Sequence, residues 1–167
     1  MTTLRAGLIG VGMMGRNHAR VLRSLDGVEL VGVVDPGGDP HQAAIDIPLF
    51  ASLDELVSLG IDYAVVSIPT AHHLVAGVAL AGAGIHCLIE KPVADSAESA
   101  QALVNAFENA GLVGAVGHIE RYNPALQHAR ARLANGELGE VYQIVTRRQG
   151  PFPGRISDVG VVKDLGT

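Results

Sequence analysis

Short, almost uninterrupted apolar runs alternate with helical patterns over the first 120 residues, and this alternation constrains the fold more than any other feature. Five runs have the length and composition of β-strands: AGLIG (6–10), VELVGVV (28–34), YAVVSI (63–68), IHCLIE (85–90) and LVGAVG (112–117). Strands that are apolar on both faces are typical of a parallel sheet with helices on both sides. The alternation therefore predicts an α/β fold with a doubly wound parallel sheet.

The segments between the apolar runs carry helix signals. Residues 13–25 have the helical period, and the residues expected on the buried face are Met14, His18, Val21, Leu22 and Leu25. Ser52 and Glu55 predict a capping box at the start of a helix over 52–58.

A further helix is predicted over 96–110. Asp95 and Glu98 have the spacing of a second capping box, and the expected buried stripe is Ala100, Leu103, Val104 and Phe107.

Residues 64–89 contain no Asp, Glu, Lys or Arg, and this uncharged stretch is long enough to be considered as a membrane-spanning segment. Pro69, Thr70, two histidines and several glycines interrupt the stretch, so a strand, a helix and another strand explain it better. We expect no membrane association.

The pattern changes after about residue 118. Asn123 is a helix cap, Pro124 occupies the first helical position and Gly136 ends the helix. EVYQIVTRR (140–148) then predicts a half-exposed, antiparallel strand. We expect residues 1–120 to form one domain and residues 121–167 to be the incomplete start of a second α/β domain.

Composition excludes several classes of protein. The chain is 48% hydrophobic and 17% charged, which argues against disorder. Its net charge is -5 and its basic residues form no block, so we expect no nucleic-acid partner. Cys87 is the single cysteine; it is expected to be a buried small hydrophobe, and the lack of an intrachain disulfide fits the cytoplasm.

The first predicted strand leads into a glycine-rich turn with the spacing G-x-G-x-x-G. Gly10 allows the tight turn, Gly12 lets the backbone approach a pyrophosphate, and Gly15 lets the helix pack on the strand. Twenty residues after Gly15, Asp35 ends the second strand, where it can accept hydrogen bonds from an adenosine ribose. The predicted cofactor-binding residues here are Gly10, Val11, Gly12, Met13, Met14, Gly15 and Asp35.

This context is the fingerprint of a Rossmann-type dinucleotide-binding domain. No Arg or Lys follows Asp35 in VVDPGGDP, so NAD is favoured over NADP. Two alternatives stay open at this point: ordinary turn glycines with Asp35 as a strand-end cap, and a methyltransferase, which also uses a glycine-rich first turn.

The segment CLIEKPVAD places Glu90, Lys91 and Pro92 at the carboxyl end of a predicted strand, where open α/β sheets bind their ligands. A lysine in that crevice can bond a substrate hydroxyl and take or return its proton. A solvated surface lysine is the alternative. Pro92 rigidifies the turn, and the sequence leaves open whether its peptide bond is cis.

Five motifs, GLIGVGMMG, VVD, EKP, GHIERYNP and KDLGT, together resemble the glucose–fructose oxidoreductase/inositol dehydrogenase (Gfo/Idh/MocA) family over the whole chain. The resemblance implies an N-terminal Rossmann domain that binds NAD(P). It also implies a C-terminal α/β domain whose open sheet supplies the substrate pocket and a homo-oligomer interface. Members act on a hydroxyl of a sugar, an inositol or a sugar nucleotide.

The resemblance also assigns residues. The lysine of the EKP motif is catalytic, which places that role at Lys91, with Glu90 beside it in the cofactor site. The family's D-x-G-x-H pattern supplies a second catalytic residue, Asp164, and its histidine would follow Thr167. The resemblance therefore implies a fragment that binds NAD without turnover. A non-catalytic dinucleotide-binding module is the alternative function.

Other roles follow from the same resemblance. SIPTAHH lines the nicotinamide side of the cofactor, with candidates Ser67, Pro69, Thr70 and His73. His118 is a further cofactor candidate. GHIERYNP and the segment 147–167 are most similar to the branch that oxidises the 3-hydroxyl of UDP-N-acetylglucosamine. The substrate-binding candidates are Arg121, Arg148 and Arg155, and no metal site is expected.

Overall fold

The computed structural model describes residues 2–147. The chain divides into two units, Met1–Gly117 and His118–Thr167. This division lies three residues before the expected boundary.

The first unit contains a six-stranded sheet whose strands are all parallel. In chain order the strands are β1 (Leu4–Ile9), β2 (Val28–Val34), β3 (Leu49–Phe50), β4 (Tyr63–Val66), β5 (His86–Ile89) and β6 (Gly114–Val116). The helices between them are α1 (Gly15–Leu22), α2 (Leu53–Val57), α3 (His73–Gly82) and α4 (Ala97–Asn109), with a 3₁₀ turn at Thr70–His72. The predicted Rossmann-type α/β fold is confirmed.

The strand order is β3-β2-β1-β4-β5-β6, so the direction of the chain across the sheet reverses beside β1. Ligands of open α/β sheets bind at such a reversal, outside the carboxyl ends of the strands. The sheet therefore brings the residues that follow β1, β2, β4 and β5 to one edge.

Two apolar clusters cover the two faces of the sheet. Along β4, Ala64 and Val66 belong to one cluster and Val65 to the other, as the two-residue period of a strand requires. Leu80 and Phe107 pack on the first face. The apolar runs of the sequence are thus explained by burial on both sides.

Helix α1 is shorter than predicted and buries a different face. It begins at Gly15 because residues 13 and 14 form the turn, and its buried residues are Gly15, Ala19 and Leu22. The expected face over 13–25 was wrong in part: Met14, Val21 and Leu25 are all exposed.

Helix α4 begins at a different residue from the expected one. Its N-cap is Ser96, whose Oγ accepts from the N–H of Ser99 at 3.0 Å, and not Asp95. In the predicted stripe, Leu103 and Phe107 are buried whereas Val104 is exposed. The capping box of Ser52 and Glu55 in α2 is confirmed.

The uncharged stretch 64–89 forms β4, the 3₁₀ turn, α3 and β5. Within residues 2–147 no helix has both the length and the apolar character needed to cross a bilayer. Cys87 in β5 is buried as predicted, and burial raises the pKa of its thiol to about 12.

The second unit has a 3₁₀ turn (Ile119–Tyr122) and helix α5 (Pro124–Ala134). Asn123 caps this helix through a 3.0 Å bond from the N–H of Ala125. Gly136, at φ 73°, ends it through backbone bonds back to the last turn. These three signals are confirmed.

The strand predicted over 140–148 is wrong for the residues that the structure describes. Residues 141–147 have no regular secondary structure, and Tyr142, Ile144 and Val145 are exposed. A strand needs a neighbour to accept its hydrogen bonds, and the described part of the second unit contains no other strand. The apolar pattern shows that these residues suit a strand, but it does not show whether a partner strand is present.

Candidate functional site

The glycine turn between β1 and α1 is held in a shape that only glycine allows at two of its positions. Gly10 has φ 90°, and a Cβ there would lie 2.5 Å from the carbonyl oxygen of Ser67. A Cβ on Gly15 would overlap the carbonyl oxygen of Gly10. The turn and the first residue of α1 therefore pack against each other without space for a side chain.

Gly12 has a different reason to be glycine. A Cβ on Gly12 would meet no protein atom within 4 Å, and its φ lies outside the left-handed region. The fold itself therefore does not require glycine here. Glycine at this position leaves space for a group that approaches the backbone from outside, such as the pyrophosphate of a dinucleotide.

The start of α1 follows directly on the glycine turn. Its N-cap, Met14, makes no side-chain hydrogen bond to the first turn, and Met13 and Met14 are both exposed. The N–H groups of Arg16 and Asn17 donate to the carbonyl oxygens of Gly12 and Met14 at 3.1 and 2.9 Å, so this end of the helix attracts an anion mainly through the positive end of the helix dipole.

Asp35 lies beside the turn, at the end of β2. Its Oδ2 accepts from the N–H of Val11 at 2.9 Å and its Oδ1 accepts from the N–H of Gly37 at 2.9 Å. The carboxylate thus anchors the glycine turn, a role that the sequence did not reveal. Each oxygen has a second lone pair, so both can also accept from a ribose hydroxyl.

The end of β4 supports the turn from the other side. The Oγ of Ser67 donates to the carbonyl oxygen of Gly10 at 2.8 Å. Pro69 is exposed at this edge, whereas Thr70 is buried. Ser67 therefore lies beside the turn, and Pro69 follows it along the chain after β4. The contact of either residue with the nicotinamide side of the cofactor stays a prediction.

Glu90 and Lys91 follow β5, at the same edge. Glu90 is 6% exposed and Lys91 is half-buried, and the peptide bond between Lys91 and Pro92 is cis. The N–H of Lys91 donates to Oε2 of Glu90 at 3.1 Å. The lysine is thus placed on the ligand-binding side of the sheet.

His18 joins helix α1 to this motif, and sequence analysis missed it. Its Nε2 lies 2.7 Å from Oε1 of Glu90. Burial alone would raise the pKa of Glu90, but the hydrogen bonds from His18 and the Lys91 N–H and the charges of both residues outweigh it and lower the pKa. No signal in the sequence connected positions 18 and 90, which are 72 residues apart.

His73 has no exposed surface. Its Nδ1 lies 3.0 Å from the carbonyl oxygen of Pro92, and its Nε2 lies 2.9 Å from that of Ile68. Carbonyl oxygens only accept, so the tautomer of the ring decides which of the two carbonyls receives its N–H. The side chain holds the loops after β4 and β5 together, and a direct contact with the cofactor stays a prediction.

Replacement of His73 by alanine is expected to lower the free energy of unfolding by about 2–5 kcal/mol, because it leaves a cavity and removes the donor to buried carbonyls. Urea unfolding measures the change. His72→Ala is the matched control: this neighbouring histidine is exposed, so its loss is expected to change stability by less than about 0.5 kcal/mol. Equal effects of the two substitutions would contradict the role of His73.

Several predicted site residues belong to the second unit or lie outside the described residues. His118 and Arg121 belong to the second unit, and Arg147 is exposed there. Arg148, Arg155 and Asp164 lie outside the described residues. Within residues 2–147, no group of three or more His, Cys, Asp or Glu side chains is arranged to hold a metal ion.

Comparison with known proteins bears on this site. The model of the Gfo/Idh/MocA family, described as an oxidoreductase family with an NAD-binding Rossmann fold, matches residues 4–118. The chain belongs to this family. Its fold and its glycine turn are those expected of a family member, and the cofactor of the family is NAD.

Two relatives illustrate the range of the family. UDP-N-acetylglucosamine 3-dehydrogenase of Acidithiobacillus ferrooxidans is 34% identical over 168 residues, a match that covers 99% of this chain and 51% of that protein. The NAD(+)-dependent scyllo-inositol 2-dehydrogenase of Bacillus subtilis is 30% identical over 158 residues, covering 90% and 46%. The chain spans about half the length of these relatives.

Among solved structures, the WlbA dehydrogenase of Bordetella pertussis, in complex with NADH and UDP-GlcNAcA, aligns with a TM-score of 0.77 and 30% identity. The alignment covers 84% of this chain and 42% of that one. The family is one of NAD-binding oxidoreductases, and the two relatives named above are dehydrogenases of a sugar nucleotide and of a cyclitol.

Proposed function

We propose that the protein is an NAD-dependent dehydrogenase that transfers a hydride between nicotinamide and a hydroxyl-bearing carbon of a sugar, cyclitol or sugar nucleotide. One observation carries the proposal: the glycine turn and Lys91 lie at the same edge of the sheet. The turn leaves open space at Gly12, Lys91 is half-buried, and the bond between His18 and Glu90 connects the helix after the turn to the loop that contains Lys91. The glycine turn, as the dinucleotide site, and Lys91, as the group that takes the proton, therefore belong to the same crevice in this proposal.

Each residue has a distinct task in this proposal. The glycine turn and the start of α1 bind the pyrophosphate, and Asp35 holds the adenosine ribose. Bound NAD supplies the hydride acceptor at C4 of its nicotinamide. Lys91 takes the proton from the substrate hydroxyl as the hydride leaves its carbon, and returns it in the reverse direction. Asp164, outside the described residues, orients that hydroxyl.

A nucleotide sugar is the substrate class that we favour. The support is the match over nearly the whole chain to a UDP-N-acetylglucosamine 3-dehydrogenase, and the similarity to a structure that contains UDP-GlcNAcA. A nucleotide sugar carries a diphosphate, which requires cations. Arg121 and Arg147 are exposed in the second unit, and Arg148 and Arg155 are further candidates.

A substrate screen of the full-length protein tests the proposal, with NADH absorbance followed for UDP-sugars and free polyols side by side. We expect turnover with NAD and at least one UDP-sugar. Turnover with polyols alone would contradict the nucleotide-sugar substrate. NAD binding without turnover of any alcohol would favour the non-catalytic module, and calorimetric binding of S-adenosylmethionine in place of NAD would favour a methyltransferase.

Asp35→Asn is expected to weaken NAD binding about tenfold or more, which is about 1.4 kcal/mol. An amide has one oxygen, so it cannot accept from Val11, Gly37 and the ribose as the carboxylate can. Calorimetry of the purified chain measures the dissociation constant. Asp26→Asn removes the same charge at an exposed position before β2 and is the control, expected to bind NAD normally. Equal affinities in both variants would remove Asp35 from the site.

A further inference from the structure

The hydrogen bond between His18 and Glu90 has no assigned task in hydride transfer. The two side chains are only 19% and 8% exposed, and they bring together α1 and the loop after β5. A buried pair of hydrogen-bonded titratable side chains often adds little net stability relative to apolar residues of the same shape, since both groups lose their water. A role beyond stability is therefore worth testing at this position.

Both carboxylate oxygens of Glu90 have hydrogen-bond partners. His18 bonds one carboxylate oxygen and the N–H of Lys91 bonds the other. Gly117, after β6, packs against the same carboxylate: a Cβ there would lie 3.0 Å from Oε2. The two hydrogen bonds hold the carboxylate, so the histidine helps to set its position and the carboxylate in turn bonds the backbone of Lys91.

The charged groups that act on Glu90 are His18 from α1 and Lys91 from its own loop. Gly117 contributes only backbone. The arrangement is a chain of contacts, from the helix that follows the glycine turn, through a carboxylate, to the backbone of the lysine.

We propose that His18 is a positioning residue for Lys91, acting through Glu90. The contact fixes the lysine at a set distance from the helix that begins at the glycine turn, so the ammonium group meets the substrate hydroxyl while the nicotinamide is in place. This inference rests on the proposed function, in which Lys91 handles the proton. It means that a histidine outside the EKP motif helps to position the lysine for the reaction.

The test uses the full-length enzyme and a double-mutant cycle of His18→Ala and Glu90→Gln. Each single substitution is expected to lower kcat about 10–100-fold, as a small misplacement of a catalytic group does. The double variant is expected to have a kcat no lower than that of the slower single variant, because both substitutions break the same contact between His18 and Glu90. His18→Gln keeps a donor that reaches Glu90, so its kcat is expected to stay within about fivefold of the wild type.

The controls separate positioning from folding. Arg20→Ala removes an exposed cation from the same helix and is expected to leave kcat and its pH profile unchanged. The pH profile of kcat is expected to shift in His18→Ala, which loss of stability alone would not cause. If His18→Ala does not fold, His18→Met, which fills the space without a donor, replaces it in the cycle.

Three results would overturn the inference: additive losses in the double variant, an unchanged kcat and pH profile in a folded His18 variant, or a His18→Gln enzyme as slow as His18→Ala. Lys91→Ala separates this inference from the proposed function. An inactive Lys91→Ala beside a fully active His18→Ala defeats the positioning role alone, whereas an active Lys91→Ala defeats the proposed function itself.

Discussion

Lys91→Ala in the full-length enzyme is expected to lower kcat by about 10²–10⁴-fold, the range for loss of a general acid–base group, while NAD still binds. The substitution removes the ammonium group but keeps the backbone N–H that bonds Glu90, so the turn and its link to α1 are retained. Steady-state kinetics measures kcat, and calorimetry measures the affinity for NAD.

Lys91→Arg is the matched variant for this prediction. Arginine keeps the positive charge but does not lose its proton in proteins, so it can hold a hydroxyl without accepting a proton from it. We expect its kcat to be nearly as low as that of the alanine variant. Full activity in Lys91→Arg would show that the charge alone matters, and an unchanged kcat in Lys91→Ala would remove the lysine from the mechanism.

The two glycines of the turn are expected to respond to alanine in opposite ways. Gly12→Ala adds a methyl group that meets no protein atom within 4 Å, so the free energy of unfolding should change by less than about 0.5 kcal/mol. The same methyl group occupies the space that a pyrophosphate needs, so the dissociation constant for NAD should rise more than tenfold, which is about 1.4 kcal/mol or more.

Gly15→Ala should instead destabilise the fold. Its methyl group overlaps the carbonyl oxygen of Gly10, and overpacking of this kind costs about 1–3 kcal/mol. Thermal unfolding with and without NAD measures both effects in both variants. If Gly12→Ala lost stability but bound NAD normally, the outward face of the turn would not be the dinucleotide site.

The main features of the fold followed from the sequence because parallel strands that are covered on both faces are apolar at nearly every position. Val65 and Val66 point to opposite clusters, and both had to be apolar. Strand β3 was missed since two residues, Leu49 and Phe50, give no periodic signal. The strand expected at 140–148 failed because pairing depends on a neighbour, and periodicity reports only the strand itself.

The local parts of the site could be predicted from the sequence because each of them is formed by residues that are close together in the chain. The spacing of Gly10, Gly12 and Gly15 is set by one turn, and the position of Lys91 by the end of one strand. Contacts between distant segments could not be predicted. His18 looked like one residue of a helix face, and only the fold brings it to Glu90.

The bond from Val11 to Asp35 has a consequence for efforts to convert the protein to NADP. Such redesign commonly begins by neutralising the acid that would repel a 2′-phosphate, yet here the same carboxylate also accepts from the N–H of Val11 in the glycine turn. A neutral residue at position 35 would remove the repulsion of the 2′-phosphate, but it would also weaken the hydrogen bond that holds the glycine turn. A successful conversion therefore needs a replacement acceptor for the Val11 N–H, introduced alongside the new cation.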